Sequence, residues 1–379
     1  MAKKILCLFY RPPIKNGIQC AFGQELFLRV MKKNFTVKII TFNKINKKSG
    51  NVTFVKLKSS IVRKIFFFLT FLKSPRLTHY LSREFLSEFK NAILEFKPDY
   101  IYAEHIFMMQ YLLRVKSDFG KIYFNDESCL FINKYNLRKS FIEKMRNINI
   151  AKYEYKACNN SDLIITITEE EKIYLKKLRL DNTENIPYGI NTKHFYYNWK
   201  SDLKEIKILY VGDYNHYPNR EAVNIIVNKI FPELKENISN LKFIIVGRNT
   251  NKLKIKADKN VFIFENVEDV RIYYWSCTCM VVPVFSGSGL RIKVLEAASC
   301  GIPLVISPLA NFDIHFKHNE EALIAGTIEE FIKAVKLLTN ECDITDIVTL
   351  SQKARRIIEL RYSEEVVSNK LENILDKYT

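Results

Sequence analysis

Glycine is scarce in this chain, which has only 11 among its 379 residues. Because glycine tolerates backbone conformations and close approaches that other residues do not, its few positions are informative. The 8 cysteines include no Cys-x-x-Cys pair, which argues against a zinc ribbon or a disulfide framework. A secretory leader is not apparent, and no apolar run approaches the ~20 residues of a membrane-spanning helix. We therefore expect reduced thiols and a cytoplasmic protein.

Several short motifs of phosphate and metal chemistry are also missing. The sequence contains no G-x-G-x-x-G, no P-loop and no Asp-x-Asp. Dinucleotide binding, NTP hydrolysis and a metal-bridged diphosphate are therefore not indicated. His315 and His318 form a lone His-x-x-His pair, which is more typical of a solvated loop than of a metal site. We expect neither a metal nor a cofactor.

Acidic residues are few in the first half of the chain. Residues 1–200 carry 36 Lys and Arg against 17 Asp and Glu, so the net charge of +18 lies there. Such a one-sided field attracts an anionic partner to one domain. Zinc-finger spacing, RNP-type aromatic motifs and basic-zipper heptads are missing, so nucleic acid is not expected. An anionic membrane surface, a phosphorylated acceptor and an uneven Lys-rich composition without functional meaning stay open.

Short apolar runs alternate with helical patterns along the whole chain. In the first half they are Ile5–Phe9, Val37–Phe42, Val52–Leu57, Tyr100–Ala103, Ile122–Phe124 and Leu163–Thr166. In the second half they are Ile206–Val211, Phe243–Val246, Val261–Phe264, Met280–Val284, Leu304–Ile306 and Ala322–Ala325. Continuous apolar strands between helices predict parallel sheets that are covered on both faces.

The two series predict an α/β protein with two doubly wound, Rossmann-like domains that face each other across a cleft. We expect the basic first domain at residues 1–198 and the second domain at residues 204–358. The boundary falls in a stretch of turn residues and aromatics without a clear period. A C-terminal helix at residues 359–379 is expected to pack back on the first domain.

The segment Val284–Ser307 is the most informative part of the sequence. An apolar strand runs into a loop that contains Gly289, and a helical pattern with Arg291, Lys293 and Glu296 follows. Glycine lets a backbone approach phosphate closely, and a helix N-terminus presents free N–H groups to an anion. A carboxylate further along the helix can accept hydrogen bonds from sugar hydroxyls. This combination predicts a site for a nucleotide sugar.

Loops at four further strand ends are candidates for the same ligand. Gly17 and Gly212 follow the first strand of each half, and Arg248 and Val267 follow two later strands of the second half. In doubly wound sheets, ligands bind at the carboxyl ends of the strands. The loops at Arg248 and Val267 are expected to present backbone groups to a base and a ribose. Each loop taken singly is equally compatible with an ordinary solvated turn.

Taken together, these blocks resemble the donor domain of family-4-type glycosyltransferases, the glycosyl transferases group 1, which have the GT-B fold. The blocks are Tyr210–Asn219, Phe231-Pro232, Ile244–Arg248, Val267–Val270 and GSGLRIKVLEAASCGIPLV. The stretch SDLIITITEEE followed by IPYGINTKHF is similar to the end of that family's acceptor domain. The resemblance is specific over residues 161–310 and looser over residues 1–160.

The resemblance implies transfer of a sugar from a nucleoside-diphosphate sugar to a glycan or lipid-linked glycan acceptor. It further implies retention of anomeric configuration, usually without a metal. Such members commonly act in cell-surface polysaccharide or lipopolysaccharide assembly. With the basic first half, this setting predicts a phosphorylated or lipid-linked acceptor and a peripheral position on the inner face of the cytoplasmic membrane.

The resemblance also implies roles for individual donor-binding residues. Glu296 corresponds to the second Glu of the family's Glu-x7-Glu motif and would hold the donor ribose. Gly289 and Leu290 would lie beside the donor phosphates. Ser288 stands where the family often has its first Glu, which usually contacts the donor sugar. This departure leaves the identity of the donor sugar open.

Catalytic roles follow from the same comparison. Arg291 and Lys293 would neutralise the departing diphosphate, because the glycosyl bond breaks only as charge on the leaving phosphate is stabilised. They would replace the Arg and Lys that many members carry in the loop corresponding to that after Gly212. In the first half, His105 and Asp126 follow strands, and a histidine titrating near neutrality suits a reacting hydroxyl. A structural strand-end histidine and a helix-capping aspartate are the alternatives.

Two other functions fit the same residues. A nucleotide-sugar 2-epimerase shares the GT-B architecture and needs no acceptor. A non-catalytic basic protein that binds a membrane or nucleic acid is the second alternative, and Ser288 and the missing loop cations motivate it.

Overall fold

The computed structural model describes residues 3–12, 21–43, 47–56, 79–115, 118–125, 141–200, 205–255, 258–287 and 289–378. The chain divides into two compact units. Unit 1 comprises Met1–Tyr188 and Val367–Thr379, and unit 2 comprises Gly189–Val366. The first division therefore lies earlier than the expected residue 198. Burial explains the difference, because Ile190, Phe195 and Trp199 all pack into the hydrophobic core of unit 2.

Unit 1 is built on an eight-stranded sheet with the order β3-β4-β2-β1-β5-β6-β7-β8. Its strands are β1 (Lys4–Phe9), β2 (Thr36–Asn43), β3 (Lys47–Ser49), β4 (Val52–Lys56), β5 (Tyr100–Glu104), β6 (Gly120–Asn125), β7 (Leu163–Thr166) and β8 (Thr183–Asn185). Its described helices are α1 (Ala21–Asn34), α2 (Arg83–Phe96), α3 (His105–Leu112), α4 (Phe141–Asn159) and α5 (Glu169–Lys177). Every strand pair is parallel except β3 with β4.

The core of unit 1 lies on the two faces of this sheet. Residues Ile5–Phe9 of β1 are completely buried, as a parallel strand covered on both faces requires. On one face, α2 begins at Ser82, whose hydroxyl accepts a hydrogen bond from the Phe85 amide at 3.3 Å. Phe85 and Phe89 then lie one turn apart and pack into the core.

Unit 2 is built on a six-stranded parallel sheet with the order β11-β10-β9-β12-β13-β14. Its strands are β9 (Lys207–Asp213), β10 (Lys242–Arg248), β11 (Val261–Glu265), β12 (Cys279–Val282), β13 (Leu304–Ile306) and β14 (Leu323–Ile324). Its helices are α6 (Tyr217–Ile225), α7 (Phe231–Asn237), α8 (Arg271–Ser276), α9 (Ile292–Cys300), α10 (Pro308–Asn311), α11 (Ile328–Lys336) and α12 (Ile344–Arg361). The last helix, α13 (Glu364–Tyr378), spans the division and contributes most of its length to unit 1.

Each sheet has a point where the strand order reverses direction. In unit 1 this switch point lies between β1 and β5, and in unit 2 it lies between β9 and β12. Neighbouring loops diverge to opposite faces at a switch point, so a crevice forms outside the carboxyl ends of those strands. The fold therefore places two candidate ligand positions, one in each unit.

The predicted α/β fold with two parallel-sheet domains is confirmed, and every predicted apolar run contains a strand. Strands β3 and β8 were not predicted, because they are three residues long and carry little apolar pattern. Residues 359–379 do not form one helix, because α12 ends at Arg361 and α13 begins at Glu364. Among the described residues, no helix combines the length and the apolar character needed to cross a membrane.

Candidate active site

Two glycines bring β9 and β10 together at their carboxyl ends, beside the switch point of unit 2. Gly212 and Gly247 are opposite each other in the register of the two strands. A Cβ atom on Gly247 would lie 1.7 Å from the carbonyl oxygen of Gly212. A Cβ atom on Gly212 would lie 3.0 Å from the Asn219 amide and 3.2 Å from Lys293 Nζ. The carboxyl end of β9 is therefore packed so closely that neither Gly212 nor Gly247 has space for a larger side chain.

Lys293 reaches this strand end from the first turn of α9. Its Nζ donates to the Asn219 side-chain oxygen at 2.6 Å and to the Tyr210 hydroxyl at 3.0 Å. The ammonium also lies 4.4 Å from the centre of the Tyr210 ring, within the range of a cation–π contact. Burial, and then repulsion from Arg291, lower the pKa of Lys293 from 10.5 to about 7. Among the described residues, no carboxylate is hydrogen-bonded to this ammonium.

Glu296 lies one turn further along the same face of α9. It is 5% exposed, and its carboxylate accepts a hydrogen bond from the Tyr274 hydroxyl at 3.2 Å. Burial raises the pKa of Glu296 from 4.5 to about 7, although the Tyr274 bond and the attraction of Lys293 oppose the rise. A buried carboxylate with so few partners can accept hydrogen bonds from a ligand.

The loop before α9 contains the other predicted donor-binding residues. Gly289 has a φ of 83°, which favours glycine, and a Cβ atom there would meet nothing within 4 Å. Leu290 packs against the core of unit 2. Arg291 occupies the N-cap position of α9, where its side chain makes no capping hydrogen bond. Ser288 lies outside the described residues.

Arg291 is partly buried in this loop. Its Nη2 lies 3.4 Å from the Ser286 carbonyl oxygen, and burial lowers the pKa of its guanidinium. Arg291 and Lys293 are thus two cations near the N-terminus of one helix, where the helix dipole adds further positive potential. Such an arrangement favours an anionic ligand.

Arg248 and Val267 follow the neighbouring strands. Arg248 ends β10 opposite Asp213 of β9, and its carbonyl oxygen accepts a hydrogen bond from the Tyr214 amide at 2.9 Å. Val267 is half-buried against the core, directly after Asn266, whose amide donates to the Gly247 carbonyl oxygen at 2.9 Å. Both residues are therefore at the same edge of the sheet as Gly212.

In unit 1, His105 occupies the carboxyl end of β5 beside the switch point. It is buried and has a φ of 63°, an uncommon conformation for a residue with a side chain. Its Nδ1 accepts a hydrogen bond from the Phe107 amide at 3.3 Å, and its ring packs 3.9 Å from that of Phe107. The neutral imidazole therefore carries its proton on Nε2. Gly17 and Asp126, the other residues predicted in this half, lie outside the described residues.

Sequence reasoning assigned no role to Tyr210, Asn219 or Tyr274, although all three contact predicted site residues. Tyr210 lies in a buried strand and therefore reads as a core residue from the sequence. Asn219 follows Pro218 in the first turn of α6, where a polar residue is unremarkable. Only the tertiary contacts with Lys293 and Glu296 show that these side chains belong to the site.

Two solved structures resemble the whole chain in fold. Sucrose-phosphate synthase from Thermosynechococcus elongatus superposes with a TM-score of 0.73 at 16% identity, covering 99% of this chain and 98% of that one. Anabaena HepE in complex with UDP and glucose superposes with a TM-score of 0.66 at 12% identity, covering 99% and 100%. Two doubly wound units of this kind define the GT-B class of glycosyltransferase folds.

A family model identifies the second unit more closely. Residues 205–341, which hold Gly212, Lys293 and Glu296, match the family described as Glycosyl transferases group 1. The second unit therefore carries a group 1 glycosyltransferase domain. A protein of Klebsiella pneumoniae, described as an uncharacterized 44.6 kDa protein in the cps region, is 23% identical over 273 residues. That match covers 68% of this chain and 66% of the relative.

Proposed function

We propose that this protein transfers a sugar from a nucleoside-diphosphate sugar to a glycan or lipid-linked glycan during synthesis of a cell-surface polysaccharide. The observation that carries the donor assignment is the pair of Lys293 and Glu296 on one face of α9, at the switch point of the family-matched unit. A cation suits the diphosphate and a carboxylate suits the ribose hydroxyls. HepE, which shares the fold, was solved with UDP and glucose and supports the same donor class.

In this proposal, unit 2 stabilises the leaving diphosphate. Charge accumulates on the phosphate oxygens as the glycosyl bond breaks, and cations held in place beforehand lower that barrier. Lys293 and Arg291 supply the charge, and the open space beside Gly289 lets the backbone approach the phosphates. Glu296 accepts hydrogen bonds from the ribose and so fixes the position of the nucleotide.

His105 of unit 1 is proposed to interact with a reacting or substrate hydroxyl. Its Nδ1 accepts a hydrogen bond from the Phe107 amide, which orients the imidazole just after the carboxyl end of β5. Retention of configuration and independence from metal ions complete the proposal. Turnover that is unchanged by EDTA, and a product with the donor's anomeric configuration, are the results expected.

Two observations support the proposed acceptor and setting. The relative in a cps region favours polysaccharide synthesis, and the basic first half of the chain favours a phosphorylated or lipid-linked acceptor at an anionic membrane. We expect binding to liposomes to increase with the fraction of anionic lipid and to decrease with salt. Binding that is absent, or that does not respond to salt, would contradict the membrane part of the proposal.

The donor assignment is tested with a thermal-shift panel of UDP-, GDP-, ADP- and CMP-sugars. A ligand that binds only the folded protein raises its melting temperature, and we expect a shift with one nucleoside diphosphate. Lys293→Ala and Arg291→Ala should each lower turnover by orders of magnitude without unfolding the protein. Lys229→Ala, at an exposed position between α6 and α7, is the control and should leave turnover unchanged. Near-normal rates in both site variants would remove the assignment. Conversion of the nucleotide sugar to its C2 epimer without any added acceptor would instead favour the epimerase.

A further inference from the structure

Lys293 is held by two neutral side chains whose own orientations are fixed. The Asn219 Nδ2 donates to the Asp213 carbonyl oxygen at 2.8 Å, so its Oδ1 is turned toward Lys293 Nζ at 2.6 Å. The Tyr210 hydroxyl donates to the same Oδ1 at 3.0 Å and accepts from Nζ at 3.0 Å. The three side chains form a closed hydrogen-bonded ring at the carboxyl end of β9. We call this ring the lysine clasp.

The lysine clasp leaves one donor of the ammonium unused. A protonated lysine has three N–H groups, and Asn219 and Tyr210 receive two of them. Within the described part of the chain, Nζ makes no further hydrogen bond. The position lies 3.2 Å from where a Cβ atom on Gly212 would stand, at the strand end where doubly wound sheets bind ligands.

No negative charge in the lysine clasp balances this ammonium. The charged and titratable groups around it are Tyr210 from β9, Arg291 from the loop before α9, and Glu296 from α9, which is itself bonded to Tyr274 from α8. Burial keeps Tyr210 neutral by raising its pKa, and Arg291 repels the ammonium. Burial of the ammonium, and then the repulsion from Arg291, lower the pKa of Lys293 to about 7, while the Glu296 carboxylate attracts the ammonium without a hydrogen bond between them.

We propose that Tyr210 and Asn219 are positioning residues that hold Lys293 without a counter-ion, so that a nucleoside diphosphate binds together with one proton. The proton comes from solvent and is taken up on Lys293 Nζ, where the diphosphate oxygens then supply the missing negative charge. The inference rests on the proposed donor site. It predicts that donor affinity decreases as the pH rises above neutrality.

The test is calorimetric titration of the full chain with UDP, GDP and ADP at pH 8 and pH 6, each in two buffers that differ in ionisation enthalpy. The buffer dependence of the heat gives the number of protons taken up. With a lysine pKa of about 7, about nine-tenths of the Lys293 side chains are neutral at pH 8 and about one-tenth at pH 6. We expect close to one proton at pH 8 and little from lysine at pH 6. Glu296 is already ionised at pH 8, so that pH isolates the lysine.

Asn219→Asp separates positioning from simple structural support. The new carboxylate would keep Lys293 protonated before the ligand arrives, so proton uptake at pH 8 should fall to near zero while affinity decreases. Asn228→Asp is the matched control, because within the described ranges the Asn228 side chain is hydrogen-bonded to Asn224 alone. This variant should retain the wild-type uptake. Tyr210→Phe keeps the ring and loses the hydroxyl, and should weaken binding by about tenfold.

The outcomes distinguish this inference from the proposed function. Nucleotide binding without proton uptake at pH 8, or equal uptake in the wild type and Asn219→Asp, overturns the inference and leaves the donor site standing. If Asn219→Asp does not fold, Lys293→Met is measured in its place. Proton uptake at pH 8 that persists in Lys293→Met also overturns the inference. If no nucleoside diphosphate binds the wild type, the proposed function fails and the inference fails with it.

Discussion

Replacing Glu296 with glutamine should stabilise unit 2 at pH 8 while impairing donor binding. The carboxylate is buried in α9 and accepts a hydrogen bond from the Tyr274 hydroxyl at 3.2 Å. Its pKa rises from 4.5 to about 7, mainly because burial disfavours the charge. At about 1.36 kcal/mol per pKa unit, keeping this group ionised in the folded state costs about 3 kcal/mol. Glutamine keeps the shape and the acceptor for Tyr274 and has no charge to bury.

The sign of the pH dependence follows from the two pKa values. Because the folded-state pKa lies above the unfolded-state value, the folded protein binds more protons between pH 4.5 and 7. Stability of the wild type therefore decreases as the pH rises through this window, and the full cost is present above pH 7. The advantage of Glu296→Gln should be below about 1 kcal/mol at pH 5 and at most about 3 kcal/mol at pH 8. The lost attraction between Glu296 and Lys293 makes the larger figure an upper limit.

Urea denaturation followed by tryptophan fluorescence measures the change in stability of unit 2. The chain has 2 tryptophans, Trp199 and Trp275, and both belong to unit 2. Glu236→Gln, at an exposed position of α7, is the control and should stay within about 0.5 kcal/mol of the wild type at every pH. A Glu296→Gln protein that is less stable than the wild type at pH 8, or equally shifted at pH 5 and pH 8, would refute the reasoning. Donor KM should increase by about 10- to 100-fold, the loss expected for hydrogen bonds to a charged acceptor.

Three further predictions concern unit 2. Lys293→Met should stabilise the protein most at or below pH 7, with the gain shrinking toward pH 10, because the folded-state pKa of about 7 lies below the ordinary 10.5; turnover should fall by at least about 100-fold. Gly247→Ala should destabilise unit 2 by more than about 3 kcal/mol, since its methyl group would lie 1.7 Å from a carbonyl oxygen. Gly289→Ala is the control: open space surrounds it, and it should cost about 1 kcal/mol for its positive φ. Equal losses of stability in the two variants would contradict this prediction. Arg355→Lys should cost about 2–4 kcal/mol in urea denaturation, because the guanidinium donates to three backbone carbonyl oxygens that one ammonium cannot reach together.

The sequence was most predictive where the local pattern and the fold agree. A continuous apolar strand is buried on both faces only when helices cover both sides of its sheet. The strands formed by such runs were therefore predictable one by one. The short strands β3 and β8 were not, since three residues carry no period. The boundary near Tyr188 was displaced because the aromatic residues after it, Phe195 and Trp199, are buried by contacts with distant segments.

Sequence alone predicted which charged side chains belong to the candidate site, because a glycine loop followed by cations and a carboxylate at helical spacing is a local pattern. Lys293 and Glu296 were predicted from that spacing, and residues of one helix three apart necessarily share a face. Tertiary structure alone decided what surrounds them. Tyr210 and Asn219 precede Lys293 by long stretches of chain, and they meet it only because β9 and α6 pack against α9. The low dielectric of that packing, rather than any local pattern, moves the pKa values of Lys293 and Glu296 toward neutrality.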